Sequence, residues 1–189
     1  GIRRYLHLAT GNYNESTARL YTDFSFFTVD RVLGDDVAAV CNMLTGFTWP
    51  RSGARLAVAP LDMRQKLLAL IAREEDNARR GGKGMIRAMM NSLSDRGIIE
   101  ALERAASAGV RIDLIVRGIC LLVPDRNISV RSIVGRYLQH ARVSQFHNGG
   151  DEEFYLSSAD WMTRNLERRV EFLFPVLDAG FRLFLKRSE

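Results

Sequence analysis

The chain has 189 residues, 47% of them hydrophobic and 26% charged, which suits one large domain or two small ones and excludes a disordered or fibrous protein. No apolar run nears the ~20 residues of a membrane span and no basic-then-apolar leader opens the chain, so a soluble, cytoplasmic protein with at most peripheral membrane association is expected. The net charge of +5 rests on 24 arginines and three lysines (Lys66, Lys83 and Lys186); guanidinium forks grip phosphate oxygens in pairs, so a polyanionic partner stands beside the plainer reading of solvated arginines.

The elements follow in chain order. Arg3 to Leu8 reads as a strand running into a Gly/Asn loop, and Phe-rich Asp23–Thr28 as a second. A helix is predicted near Asp35–Leu44, its first turn marked by Asp35 and Asp36. Thr48–Gly53 combines Pro and Gly without periodicity and is the best domain boundary, dividing 1–50 from 51–189. Beyond it come a strand at Arg55–Ala59 and a helix from Leu61 to Arg79 with an apolar face of Leu67, Leu68, Leu70 and Ile71. Met85–Met90 is a strand. The next helix starts at Ser94 or Asp95 and stops at Gly109.

Ile112–Val116 then forms a buried strand with Arg117 at its carboxyl end. Strand-like runs follow at Ile128–Val134, Val143–Phe146, Phe154–Ser157 and Val170–Val176, before a short terminal helix. Alternating strands and helices predict an α/β fold with a mixed, largely parallel sheet flanked by helices. Ligands of such sheets gather at strand carboxyl ends, where Arg117 falls. Cys41 and Cys120 lack any metal-ligand spacing and are expected to be reduced core thiols.

Two segments echo each other. Thr10 in Ala9-Thr10-Gly11-Asn12 precedes Asp23 by 13 residues, and Ser158 in Ser157-Ser158-Ala159-Asp160 precedes Glu171 by 13. Phe24-Ser25-Phe26-Phe27 then parallels Phe172-Leu173-Phe174-Pro175. The pattern suggests related halves, each placing a hydroxyl and carboxylates around one site. The second half also holds His140, 18 residues before Ser158, with Arg142 two places on. A counterpart histidine would fall ahead of Gly1, so half of a paired site is expected to lie outside the chain. His7 does not fill that place.

Four blocks carry a family likeness: HLATGNYNESTARLYTDFS at 7–25, RIDLIVRGIC at 111–120, VRSIVGRYLQHARV at 130–143 and NGGDEEFYLSSADWMTRNLERRVEFLFP at 148–175. Together they resemble bacterial polyphosphate kinase of the first type, in its carboxyl-terminal catalytic region. The resemblance implies that 1–50 is the end of a first phospholipase-D-like domain and 51–189 a second. It implies reversible transfer of the terminal phosphate of ATP to polyphosphate, through a phosphohistidine and with magnesium. The attacking histidine, in an H-x-K motif, and the magnesium-linked residues would lie upstream, leaving this piece inactive alone. Implied partners are ATP or ADP and polyphosphate, with homo-oligomerisation of the full enzyme and no nucleic acid. Three departures stand out: Ala9 replaces a usual glycine, Met89 a frequent lysine, and CLLVPDRNISV at 120–130 is short.

By position, Tyr21, Arg117 and His140 match ATP-contacting residues of that family, and His7 matches a histidine associated with activity. The chemistry agrees. Phosphoryl transfer needs cations around the transferred group and an imidazole whose second nitrogen is fixed by a carboxylate. The echo assigns Glu171 to His140 and Asp23 to the absent histidine; alternatively each carboxylate pairs with an arginine such as Arg19 or Arg169. Arg117 closes an apolar strand, where a guanidinium is costly without an anion. Arg142 stands where an H-x-K motif has lysine, or is surface charge. Tyr21 is expected to stack on adenine or donate to phosphate, and Thr10 and Asn12 to line the phosphate site. His147 reads as loop surface, Gly149-Gly150 as a tight turn, and Phe154 and Trp161 as packing. Competing readings are a phospholipase-D-like phosphodiesterase or nuclease, which the arginine at 142 disfavours, and a non-enzymatic polyanion-binding module.

Overall fold

The structure is a computed structural model that describes residues 3–46 and 53–188. In chain order its elements are β1 (Leu6–Ala9), α1 (Glu15–Ala18), β2 (Tyr21–Thr22), β3 (Ser25–Thr28), α2 (Arg31–Gly46), β4 (Ala57–Ala59), α3 (Met63–Arg79), β5 (Met85–Met90), α4 (Arg96–Ser107), β6 (Arg111–Val116) and β7 (Ile128–Arg131). Then follow β8 (Leu138–Gln139), β9 (Val143–Phe146), a 3-10 turn (Asn148–Gly150), β10 (Glu153–Ser157), α5 (Thr163–Arg168), β11 (Glu171–Pro175) and α6 (Ala179–Ser188). The domain boundary expected at Thr48–Gly53 lies outside the described residues except for Gly53.

The main sheet has seven strands in the order β4-β11-β10-β9-β5-β6-β7. It is mixed, as expected, with a narrower parallel part than the alternation of strands and helices implied. Only β5–β6 and β6–β7 pair parallel, while the pairs β4–β11, β11–β10, β10–β9 and β9–β5 are antiparallel. The reason is local: α4 supplies the long crossover between β5 and β6 and the segment 117–127 the one between β6 and β7, whereas the short connection between β9 and β10 returns the chain directly.

Strand alternation sorts the side chains onto two faces. Ile86, Ala88 and Met90 of β5, with Ile112, Leu114 and Val116 of β6, pack against Leu67, Leu70 and Ile71 of α3 and Ile98, Leu102 and Ala105 of α4. On the opposite face, Val143, Phe154, Leu156 and Phe174 meet Leu33 and Val40 of α2, Leu185 of α6, and Leu6, Leu8 and Phe26 of the β1–β3 pair. The α4 stripe recurs every three to four residues, and Asp95 caps the helix by accepting from Ile98 N at 3.0 Å. Gly109, at φ 100°, ends it in the left-handed region that glycine enters freely. Buried Glu74 of α3 accepts from Met85 N (3.2 Å) and Asn148 N (2.7 Å), pinning the far end of the sheet.

Cys120 is half-buried, but Cys41 is exposed, correcting its expected place in the core. It lies on the outward side of α2, whose inward residues are Leu33 and Val40. His147 is half-buried, not loop surface, because its backbone N–H continues the sheet by donating to Met85 O at 3.0 Å. Phe154 and Trp161 are packing residues, 3% and 4% exposed. Among the described residues no helix is long and apolar enough to cross a membrane.

Candidate active site

One end of the sheet, where β5 and β6 have their carboxyl termini, collects most of the residues singled out above. β5 and β6 end there, followed by Asn91 and Arg117; antiparallel β9 begins there, just after His140 and Arg142. β10 ends there, ahead of Ser158 and Asp160, and β11 begins there with Glu171. The segment 21–23 joins this end through a very short device. Tyr21 pairs with Leu138 and Thr22 with Gln139 in a parallel β2–β8 ribbon, so Asp23 and His140 emerge side by side. The ribbon is tied off by His140 N and Ala141 N, which both donate to Thr22 O at 3.0 and 3.1 Å.

Asp23 then holds the imidazole. Its Oδ2 lies 3.0 Å and its Oδ1 3.1 Å from His140 Nδ1, and Thr10 Oγ1 donates to Oδ1 at 2.7 Å. A carboxylate at Nδ1 selects the tautomer protonated there, leaving Nε2 to accept a proton, or to donate one when the ring is charged. Burial alone would raise the Asp23 pKa, but the hydrogen bonds from His140 and Thr10 and the charges of His140 and Arg142 hold it below the ordinary carboxylate value. His140 is 8% exposed, and the Tyr21 ring covers it at 4.6 Å between centroids.

This pairing corrects the expected partner of His140. Glu171 instead accepts from Ser158 Oγ and sits 3.7 Å from Arg169. The β2–β8 ribbon crosses between the halves, so the carboxylate of the first serves the histidine of the second. The echo itself is visible as geometry. Thr10 Oγ1 bonds Asp23 and accepts from Phe24 N at 3.1 Å, while Ser158 Oγ bonds Glu171 and accepts from Phe172 N at 3.0 Å. Even the backbone repeats: Thr10 N donates to Phe24 O (2.9 Å) and Ser158 N to Phe172 O (3.0 Å).

The two arginines part company here. Arg117 Nε donates to Asn91 Oδ1 at 2.8 Å, and Asn91 Nδ2 donates to His140 O at 3.2 Å, so both side chains belong to one cluster. The terminal nitrogens of Arg117 make no hydrogen bond or ion pair among the described residues, leaving a fork open to an anion. Arg142 is different. Its Nε and Nη2 bind Asp160 at 3.3 and 3.0 Å, its Nη1 donates to Thr10 O at 3.2 Å, and Nη1 lies 3.3 Å from His140 Nδ1. With every nitrogen engaged and 9% exposure, Arg142 is an internal strut and not the phosphate-gripping cation that its H-x-K-like position suggested.

Thr10, 1% exposed with its hydroxyl on Asp23, likewise supports the carboxylate and offers no face to a phosphate. Asn12 is exposed in the loop after β1. His7 lies on the outward side of the β1–β3 pair, stacked on Phe27 at 4.5 Å and bonded to Tyr13 Oη at 3.0 Å; it is not brought to His140. Sequence reasoning passed over Asn91 and the role of Asp160. The echo held a signal for the latter, since Asp160 occupies the place of Asn12.

Residues 1–50 match the family Polyphosphate kinase C-terminal domain 1, and residues 56–187 match Polyphosphate kinase C-terminal domain 2. The chain belongs to the polyphosphate kinase family. The polyphosphate kinase of Synechocystis sp. is 53% identical over 180 residues, covering 93% of this chain and 25% of that protein. That of Prosthecochloris aestuarii is 50% identical over 183 residues, covering 94% and 26%. The crystal structure of polyphosphate kinase from Porphyromonas gingivalis aligns with a TM-score of 0.94 at 46% identity, over 98% of this chain and 29% of that one. The chain therefore spans about a quarter of the length of the curated polyphosphate kinases it matches. NucT from Helicobacter pylori (TM-score 0.51, 20% identity, 70% of this chain and 90% of that one) shares the fold alone.

The described residues offer magnesium no ready-made cluster of protein ligands. No group of three or more His, Cys, Asp or Glu that could hold a metal occurs among the described residues. Asp23, Asp160 and Glu171 are each turned to hydrogen-bond partners within the chain.

Proposed function

We propose that this chain supplies one wall of the phosphoryl-transfer site of a polyphosphate kinase, which moves the terminal phosphate of ATP reversibly onto polyphosphate in the cytoplasm. The observation that carries the reading is the Asp23–His140 pair beside the open fork of Arg117, in a chain of this family. His140 Nε2 passes a proton to or from the oxygen that leaves or attacks phosphorus, while Asp23 keeps the ring oriented and compensates its positive charge. Arg117 binds the phosphates as a fork. Tyr21 packs on the imidazole and restricts its ring.

The exchange of carboxylates between halves has a corollary. Glu171, held by Ser158 as Asp23 is by Thr10, stands ready for a histidine from outside this chain. That residue is the nucleophile in this reading, and it takes the phosphate covalently. Magnesium accompanying ATP would be held by its phosphates and by residues elsewhere in the longer enzyme. The isolated chain is expected to bind ATP weakly, with Arg117→Ala cutting binding about tenfold, and to accept no acid-labile phosphate. Calorimetry and labelling with ATP test both. Stoichiometric phosphate on this chain would overturn the division of labour.

A further inference from the structure

Arg142 binds one carboxylate, Asp160, and its charge also acts on a second, Asp23, so its allegiance decides what His140 can do. It binds Asp160 through Nε and Nη2, yet its Nη1 already reaches the carbonyl of Thr10, whose hydroxyl is bonded to Asp23. Asp23 is thus the next carboxylate within the guanidinium's reach. Asp160 is itself fixed: its Oδ1 accepts from Asn91 N at 2.7 Å and Ser92 N at 3.2 Å, at the end of β5, and it is 7% exposed. We propose that Asp160 is a positioning residue that sequesters Arg142, leaving the Asp23 carboxylate to His140.

The echo gives this its logic. Position 12, the counterpart of 160, is an asparagine in an exposed loop, whereas 160 carries a buried carboxylate facing the arginine two residues after His140. A bidentate Arg–carboxylate pair is stronger than a single contact to a carbonyl, so Arg142 stays with Asp160 while Asp160 is charged. With Asp160 replaced by asparagine, the buried guanidinium is left without its counterion, a costly state that pairing with Asp23, whose charge it already feels, would relieve. Arg142 would then take Asp23 and strip Nδ1 of its acceptor. The charged and titratable groups around His140 are Asp23 and Tyr21 from the 21–23 segment, Arg142 two residues on in the segment between β8 and β9, Asp160 behind Arg142, and Arg117 beyond Asn91.

The inference rests on the reading of His140 above, but its test does not require phosphoryl transfer. The probe is the hydrogen-bonded Nδ1–H of His140 in the 189-residue chain, observed by proton and nitrogen NMR of the imidazole. Asp160→Asn is expected to abolish that signal. Arg142→Gln is expected to keep it, and the double variant Asp160→Asn/Arg142→Gln to restore it, a rescue that a merely structural role for Asp160 does not produce. Retention of the signal in Asp160→Asn, its loss in Arg142→Gln, or failure of the double variant to restore it would overturn the proposal. If Asp160→Asn does not fold by circular dichroism, Arg142→Gln and the double variant decide by the same outcomes. A positive result with no phosphoryl transfer in the longer enzyme would refute the functional reading alone.

Discussion

Asp23 and His140 are 117 residues apart in the chain and meet at 3.0 Å, carboxylate to Nδ1. Two two-residue strands bring them together, so a small structural element controls a large chemical effect. Asp23→Asn keeps the shape but replaces an acceptor-only group with one that no longer selects the tautomer. In a longer polyphosphate kinase carrying this segment, it is expected to lower kcat by about 10²–10⁴-fold with little change in KM for ATP. Steady-state kinetics check this.

The same pair contributes to stability with a defined pH dependence. The Asp23 carboxyl has a lower pKa folded than unfolded, so its contribution is complete above about pH 5, where the unfolded group is almost fully ionised. It is lost as the pH falls through the folded value. Urea unfolding of the chain and of Asp23→Asn should therefore differ at pH 6, and the difference should shrink on going to pH 3.

Gly11 carries a requirement that the motif alone does not explain. A Cβ there would collide with the Asp23 carboxyl, whereas one at Gly46 meets nothing within 4 Å. Gly11→Ala should displace Asp23 and cut phosphoryl transfer by at least about tenfold, while Gly46→Ala leaves it unchanged. Paired rate measurements in the longer enzyme check the contrast.

Away from the site, Asp95 does two jobs at once. It caps α4 and binds Arg64 at 3.1 Å, with its side chain 2% exposed, and Thr163 Oγ1 donates to it at 2.9 Å. Asp95→Ala removes the cap and leaves the half-buried Arg64 without this partner, a loss of about 3 kcal/mol in urea unfolding. Burial opposes ionisation of Asp95, but Arg64, Ile98 N and Thr163 hold its pKa low, so this stabilisation also fades in acid.

Much of this was legible from residue order. Met85–Met90 is readable to the residue because apolar side chains fill most of it, and Val143–Phe146 because apolar residues bound it at both ends. The 13-residue echo appears as two matching hydroxyl–carboxylate bonds, since a local hairpin geometry repeats with its local spacing. What could not be read depended on distant pairing. The partner of His140 is chosen by the β2–β8 ribbon, whose two-residue strands carry no periodicity. Arg142 looked like a phosphate ligand because its counterion lies 18 residues away at the end of another strand. The antiparallel half of the sheet was hidden for a similar reason: the runs that became β9, β10 and β11 show strand character but not direction.

The central claim is that this chain provides the proton-handling histidine, and that the phosphate-accepting one lies elsewhere in the longer enzyme. The direct measurement is the site of phosphate on that enzyme after brief exposure to labelled ATP, read by peptide mapping in the unmodified protein and in His140→Asn. Label on a histidine outside these 189 residues, still formed though slowly in His140→Asn, is the predicted result. Label on His140 itself would contradict it.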